Sequence, residues 1–175
     1  RTIFRRSAVD AAGASLHHGG RRRCSIRPPE PAFAMSRPPP PEWFYRQSAV
    51  IPFRQRDDGI EVALITSRGR GRWIIPKGVV EPDLTPADSA LGEAFEEAGL
   101  RGWVVGDPLG SYSYAKWEGT CTVEVFAMAV DEVCDDWPER SARRRRWLPL
   151  AEAADLADDA AVGALIRRLA RRFPG

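Results

Sequence analysis

The sequence predicts an α/β (α+β) fold, a mixed β-sheet flanked by helices in an α/β/α sandwich. Three observations carry that expectation. Short segments rich in β-formers lie on both sides of one well-signalled helix. The segment at residues 121–130 is long and apolar enough for the centre of a sheet. Near the C-terminus, Val162, Leu165, Ile166, Leu169 and Phe173 recur on one face of a helical wheel.

Residues 1–42 hold Arg and Pro clusters without apolar periodicity, so we expect a disordered tail ahead of one domain at 43–175. The first methionine is Met35, and we expect translation to start there. An Arg-rich transit peptide and a nucleic-acid-binding arm are the rival readings. Strands are expected at 48–54, 61–67 and 72–75, with Asp57-Asp58-Gly59 as the first hairpin turn. After the helix, strands are expected at 101–105, 109–114 and 121–130, and Lys116 to Gly119 makes a turn. Trp147-Leu148 is a short strand before helices at 150–157 and 160–173. Arg167, Arg168, Arg171 and Arg172 read as a solvated face of the last helix.

With 175 residues, 43% hydrophobic and 29% charged, the chain has the balance of a globular domain with a proper core. No apolar run reaches the length of a membrane span. Residues 1–46 carry nine arginines against three acids, whereas residues 47–175 carry 17 basic and 21 acidic residues. The body is therefore mildly acidic, and nucleic acid is not the expected partner. Cys24, Cys121 and Cys134 lack CxxC spacing, which argues against disulfides and a cysteine zinc site and for the cytoplasm. The histidines, His17 and His18, lie in the tail, so carboxylates, Lys and Arg are the chemistry left to the domain.

The helix over residues 86–98 is framed by Thr85 as N-cap, Pro86 at the first position, Asp88 in a short capping box and Gly99 as a left-handed stop. At about 100° per residue, Glu93, Glu96 and Glu97 cluster on one face while Leu91, Ala94, Phe95 and Ala98 fall on another. Three carboxylates at i, i+3 and i+4 repel one another. A hard divalent cation turns that repulsion into affinity.

The stretch from Gly78 to Leu100 resembles the Nudix box, G-x5-E-x7-R-E-U-x-E-E-x-G-U. Gly78, Glu93, Glu96, Glu97, Gly99 and Leu100 match in spacing. Leu84 and Gly92 replace the box Glu and Arg, and Ala94 is smaller than usual. In the family that Arg helps to orient the adjacent glutamate. Ser67-Arg68, Arg72 to Pro76, and the acidic segment 132–139 leading to Arg143-Arg-Arg-Arg-Trp147 look like the diphosphoinositol polyphosphate phosphohydrolase branch.

The resemblance implies Mg2+ (or Mn2+) held by Glu93, Glu97 and the Gly78 carbonyl, with Glu96 as ligand or base. It implies a further carboxylate from outside the box, Glu139 or Glu124, with Glu81 as a polar substitute in the loop. Substrate phosphates would meet Arg46, Ser67, Arg68, Lys77 and Arg144, and two of the four residues 143–146 would face the site. Tyr112, Tyr114 and Trp117 either stack on a base or pack in the core. The implied activity is metal-dependent hydrolysis of a P–O–P bond in a diphosphoinositol or diadenosine polyphosphate by a monomer. An ADP-ribose or nucleoside-triphosphate hydrolase and a non-catalytic nucleotide-binding module are the alternatives.

Overall fold

The computed structural model describes residues 41–116 and 119–173. The tail reading for 1–40, with His17, His18, Cys24 and Met35, and the reading of Trp117 lie outside the described residues. A single 3-10 turn, Glu42–Tyr45, leads into the fold. The strands are β1 (Arg46–Arg56), β2 (Gly59–Thr66), β3 (Trp73–Ile74), β4 (Lys77–Val79), β5 (Leu100–Val104), β6 (Gly110–Lys116), β7 (Gly119–Val133) and β8 (Arg145–Pro149). The helices are α1 (Pro86–Ala98), α2 (Leu150–Leu156) and α3 (Ala160–Arg172).

The strands form one mixed sheet in the order β3-β2-β1-β7-β5, with β4 on β1, β6 on β7 and β8 on β2. Among the described residues only the β1–β7 ladder is parallel, from Arg46↔Thr122 to Phe53↔Ala129. β1 is the spine. Its first half carries β4 in the register Gln47↔Val79, Ser48↔Gly78 and Ala49↔Lys77, and its second half pairs with β2. The two-residue Asp57-Asp58 turn closes at Arg56↔Gly59.

Alternation along β1 and β7 sends side chains to two cores. Ala49, Ile51, Phe53, Val123, Val125 and Ala127 pack with Val162, Leu165, Ile166 and Leu169 of α3. Val50, Phe126 and Met128 pack on the other face with Ala90, Ala94 and Ala98 of α1. Phe173 stacks on Phe53 with centroids 4.9 Å apart. The α3 arginines do more than meet solvent: Arg168 and Arg172 donate to the carbonyls of Leu109 and Asp107, and Arg167 pairs with Asp155. Their stems lie within reach of backbone acceptors that a helical wheel cannot show.

Around α1 the expected caps form. Thr85 Oγ1 accepts from Asp88 N (3.1 Å), and its hydroxyl donates to Asp88 Oδ2 at 2.6 Å, a side-chain pair rather than the backbone bond of a full capping box. Gly99 is left-handed (φ 62, ψ 39). Trp137 lies against its Cα, so that a Cβ would meet Trp137 Cδ2 at 2.7 Å. Arg145 donates to the helix-end carbonyls of Ala98 (2.6 Å) and Gly99 (3.0 Å), and its guanidinium sits 4.6 Å from the Trp137 ring centroid. Gly99→Ala should therefore lower stability by about 1–3 kcal/mol. A urea midpoint unchanged from wild type would show that Trp137 does not pack on Gly99.

Candidate functional site

The site is built where β4, the N-terminal half of the sheet and α1 meet. Of the three box glutamates, Glu97 is the buried one. Its side chain is 9% exposed, accepting from Lys77 N (3.0 Å) on one oxygen and from Arg143 Nη2 on the other. Arg143 is itself 7% exposed. All three of its guanidinium nitrogens are used: Nη2 on Glu97, Nε on Glu139 Oε2 (2.5 Å) and Nη1 on the Thr66 carbonyl (3.1 Å). A tight turn in which Ala142 N and Arg143 N donate to the Glu139 carbonyl brings Arg143 back over Glu139. Glu139 N donates to the Glu96 carbonyl (3.1 Å), fastening this segment to α1. From outside, Arg68, 64% exposed, donates to both oxygens of Glu139.

Glu93 lies across Gly78, close enough that a Cβ there would overlap the Glu93 carboxylate. Glycine is therefore required by contact, with no positive φ involved. Burial, then the charges of Glu97, Glu96 and Glu139, push the Glu93 carboxyl up to about 7, with Arg143 opposing. Glu97 is also raised by burial, although Arg143 and the Lys77 N–H counter the shift. Lys77 is lowered by burial against the pull of Glu97. Its side chain runs away from the carboxylates to Tyr114 OH (3.3 Å) and Gln47 Oε1 (3.5 Å), which are themselves joined at 2.8 Å.

Nudix proteins generally need a divalent metal such as Mg2+. Among the described residues, no three carboxylate, cysteine or histidine side chains converge as they stand, and Arg143 lies between Glu97 and Glu139. In kind the donors fit: Glu93, Glu97 and Glu139 are hard oxygen ligands, and Glu93 is short of positive charge. Beside them the Ser48 hydroxyl is buried without a hydrogen-bond partner among the described residues, in register with both Gly78 and Glu124.

Other residues singled out in the sequence scatter more widely. Glu96 is exposed. Glu124 is half-buried on β7, and Glu81 is an exposed loop residue whose N–H donates to Ser89 Oγ. Ser67 and Lys77 line a cavity of about 390 Å3 with Trp73, Tyr112, Tyr114 and Lys116. The Ser67 hydroxyl accepts from Arg72 N at 3.0 Å. Tyr112 and Tyr114 thus serve as cavity wall and core edge at once, packing against the α3-side core. Arg46 lines a separate depression with Trp43 and Tyr45. Arg144 is exposed, and its backbone N–H is bound to Thr66 Oγ1 (2.9 Å). Of the four-arginine run, the guanidinium in the carboxylate cluster belongs to Arg143. What distinguishes it from its neighbours is that its guanidinium meets Glu97 and Glu139, whereas that of Arg145 reaches the carbonyls of Ala98 and Gly99.

Glu93 gives a pH signature in the absence of divalent cation. A carboxyl whose folded pKa is raised favours the folded state below its unfolded value and loses that contribution as pH rises toward about 7. Wild type should lose stability relative to Glu93→Gln between about pH 4.5 and 7.5. Parallel melting-temperature profiles across that range would contradict the raised Glu93.

Comparison with known proteins bears on the family and the fold. The NUDIX domain model matches residues 44–169. Nudix hydrolase 12, mitochondrial, of Arabidopsis thaliana is 35% identical over 130 residues, covering 62% of this chain and 64% of that protein. Diphosphoinositol polyphosphate phosphohydrolase 3-beta of Bos taurus is 36% identical over 117 residues, covering 65% and 69%. The chain thus spans less than two thirds of the length of the Arabidopsis relative. Among solved structures, the C. elegans Ap4A hydrolase has a similar fold, with a TM-score of 0.61 at 22% identity over 73% of this chain and 96% of that one. On the matched domain, the sheet and the glutamate helix, this chain belongs to the Nudix family.

Proposed function

We propose that this chain is a metal-dependent pyrophosphohydrolase that cleaves a P–O–P bond in a highly phosphorylated small molecule, a diphosphoinositol or diadenosine polyphosphate. The observation that carries the reading is a linked set of charges: Arg143 joins Glu97 to Glu139, Arg68 pairs with Glu139, the Lys77 N–H meets Glu97, and Glu93 lies across the neighbouring Gly78. A monoanionic or neutral ligand would not need so many charges of both signs.

In this reading Glu93, Glu97, Glu139 and the Gly78 carbonyl would hold the divalent cation, with Glu96 one turn away. When bound, the cation neutralises phosphate charge and acidifies water. The residues of the chain do the rest. Water attacks phosphorus, its oxygen forming the new P–O bond as the bridging P–O bond breaks. The water's proton passes to a carboxylate of the Glu93–Glu96–Glu97 group, and the leaving phosphate departs with the bridging oxygen. Arg68 and Lys77 bind phosphates on either side of the carboxylates. Arg68 is suited by its planar fork and Lys77 by an ammonium group that reaches Tyr114 in the tyrosine-lined cavity.

The cavity supports a second reading. Trp73, Tyr112 and Tyr114 offer aromatic surface suited to a nucleobase, and Arg72, Lys77 and Lys116 line the same cavity, with Arg72 paired to Asp158. That favours a substrate with a nucleoside end: a diadenosine polyphosphate, ADP-ribose or a nucleoside triphosphate.

A panel of diphosphoinositol polyphosphate, diadenosine polyphosphates, ADP-ribose and nucleoside triphosphates, assayed with Mg2+ and with Mn2+, tests both readings. Glu97→Gln should abolish the rise in melting temperature given by millimolar Mg2+ and most of the turnover. Lys77→Met should lower kcat/KM by about one to two decades, the worth of one charge-assisted contact. Full turnover by Glu97→Gln would remove the carboxylates from the chemistry.

A further inference from the structure

Three guanidinium nitrogens of one buried side chain touch three separate parts of the fold. Arg143 Nη2 meets Glu97 on α1, Nε meets Glu139 in the segment before β8, and Nη1 meets the carbonyl of Thr66 at the end of β2. The group is planar and rigid, so these contacts fix the spacing and relative tilt of two carboxylates that come from positions 97 and 139. Nothing on α1 does this job. Gly92, the residue before Glu93, has no side chain and faces open space. Each carboxylate also keeps capacity beyond Arg143. Glu97 gives its second oxygen to Lys77 N–H, and Glu139 gives its second oxygen to Arg68, whose side chain is 64% exposed against 7% for Arg143.

We propose that Arg143 is the positioning residue of the cation site. Its guanidinium holds Glu97 and Glu139 side by side and stays bound to both when a divalent cation is seated. Arg68 is the arginine that yields, leaving the outer oxygen of Glu139 to the cation. This rests on the reading of the carboxylate group as a cation site. It differs in sign from the simpler view that Arg143 merely occupies the site. A competing cation, once removed, leaves divalent binding tighter, because a positive charge beside the site repels the metal. A positioning group, once removed, leaves binding weaker, as loss of a partner that orients a ligand does.

Titration of the full chain with Mn2+, followed by electron paramagnetic resonance, separates these cases. Arg143→Lys keeps the charge and loses the fork; Arg143→Gln keeps planar donors and loses the charge. Both should bind Mn2+ about tenfold to a hundredfold more weakly than wild type, while Arg68→Ala binds as tightly or more so. A folded Arg143 variant that binds Mn2+ as well as wild type or better overturns the proposal. Should neither variant fold, wild type still decides. Its Arg143 Nε–H, followed by 15N NMR, should remain slow to exchange with solvent at saturating Mg2+, and its release on adding Mg2+ overturns the proposal. A wild type that binds no Mn2+ would instead remove the cation site itself, and this inference with it.

Discussion

The buried guanidinium of Arg143 is the constraint around which the site is arranged. An arginine with a 7% exposed side chain has given up nearly all its water, a loss of several kcal/mol that only well-placed acceptors can offset. Glu97, 9% exposed, is in the same position with the opposite sign. Each makes the other tolerable, and the Lys77 N–H, Glu139 and the Thr66 carbonyl complete the set. Replacing such a cluster by apolar side chains is often neutral or stabilising. Stability alone is therefore a poor reason for a domain to keep it, and the cluster makes physical sense where the carboxylates have work to do.

The sheet provides the rigidity this requires. β1 carries β4 on one edge and β7 on the other, which fixes Gly78 between the Ser48 ladder and the Glu93 carboxylate. Backbone bonds from Val50 N to the Pro76 carbonyl and from Val80 N to the Arg46 carbonyl extend that clamp past both ends of β4. The short strand that presents Lys77 N–H to Glu97 is thus held along its whole length. α1 is pressed close by Ala90, Ala94 and Ala98, whose small side chains let its backbone approach the sheet.

Those alanines also show where the sequence was legible and where it was not. Caps, strand segments and all three helices could be read, because each rests on local turn chemistry or on a period. The wheel of α1 was read less well. It placed Leu91, Ala94, Phe95 and Ala98 on one apolar face; Ala94 and Ala98 are buried, but Leu91 and Phe95 are only half-buried, and the buried arc turns toward Ala90, Ala94, Glu97 and Ala98. Glu97 therefore leaves its neighbours Glu93 and Glu96 and enters the protein. β4 was missed because three residues after a proline carry no period of their own. Arg143 looked the same as Arg144, Arg145 and Arg146 in the sequence. What separates them is which long-range partner each meets, and such contacts leave no local trace.

The two departures from the Nudix box fit this picture. Leu84 is 45% exposed, and a side chain at Gly92 would meet nothing within 4 Å, so neither position strands a charge. Ordering of the glutamates falls instead to the segment leading into β8, which must itself be docked on α1. Besides Arg143 on Glu97, it is docked by Cys134 N on the Gly99 carbonyl, Trp137 on the Gly99 Cα, and Glu139 N on the Glu96 carbonyl. Gly99 thereby ends the helix, seats the tryptophan and sets where Glu139 and Arg143 arrive. A box glycine that caps a helix acts on the carboxylates of that same helix through a loop some 40 residues away along the chain. Helix end and charge cluster are one mechanical unit.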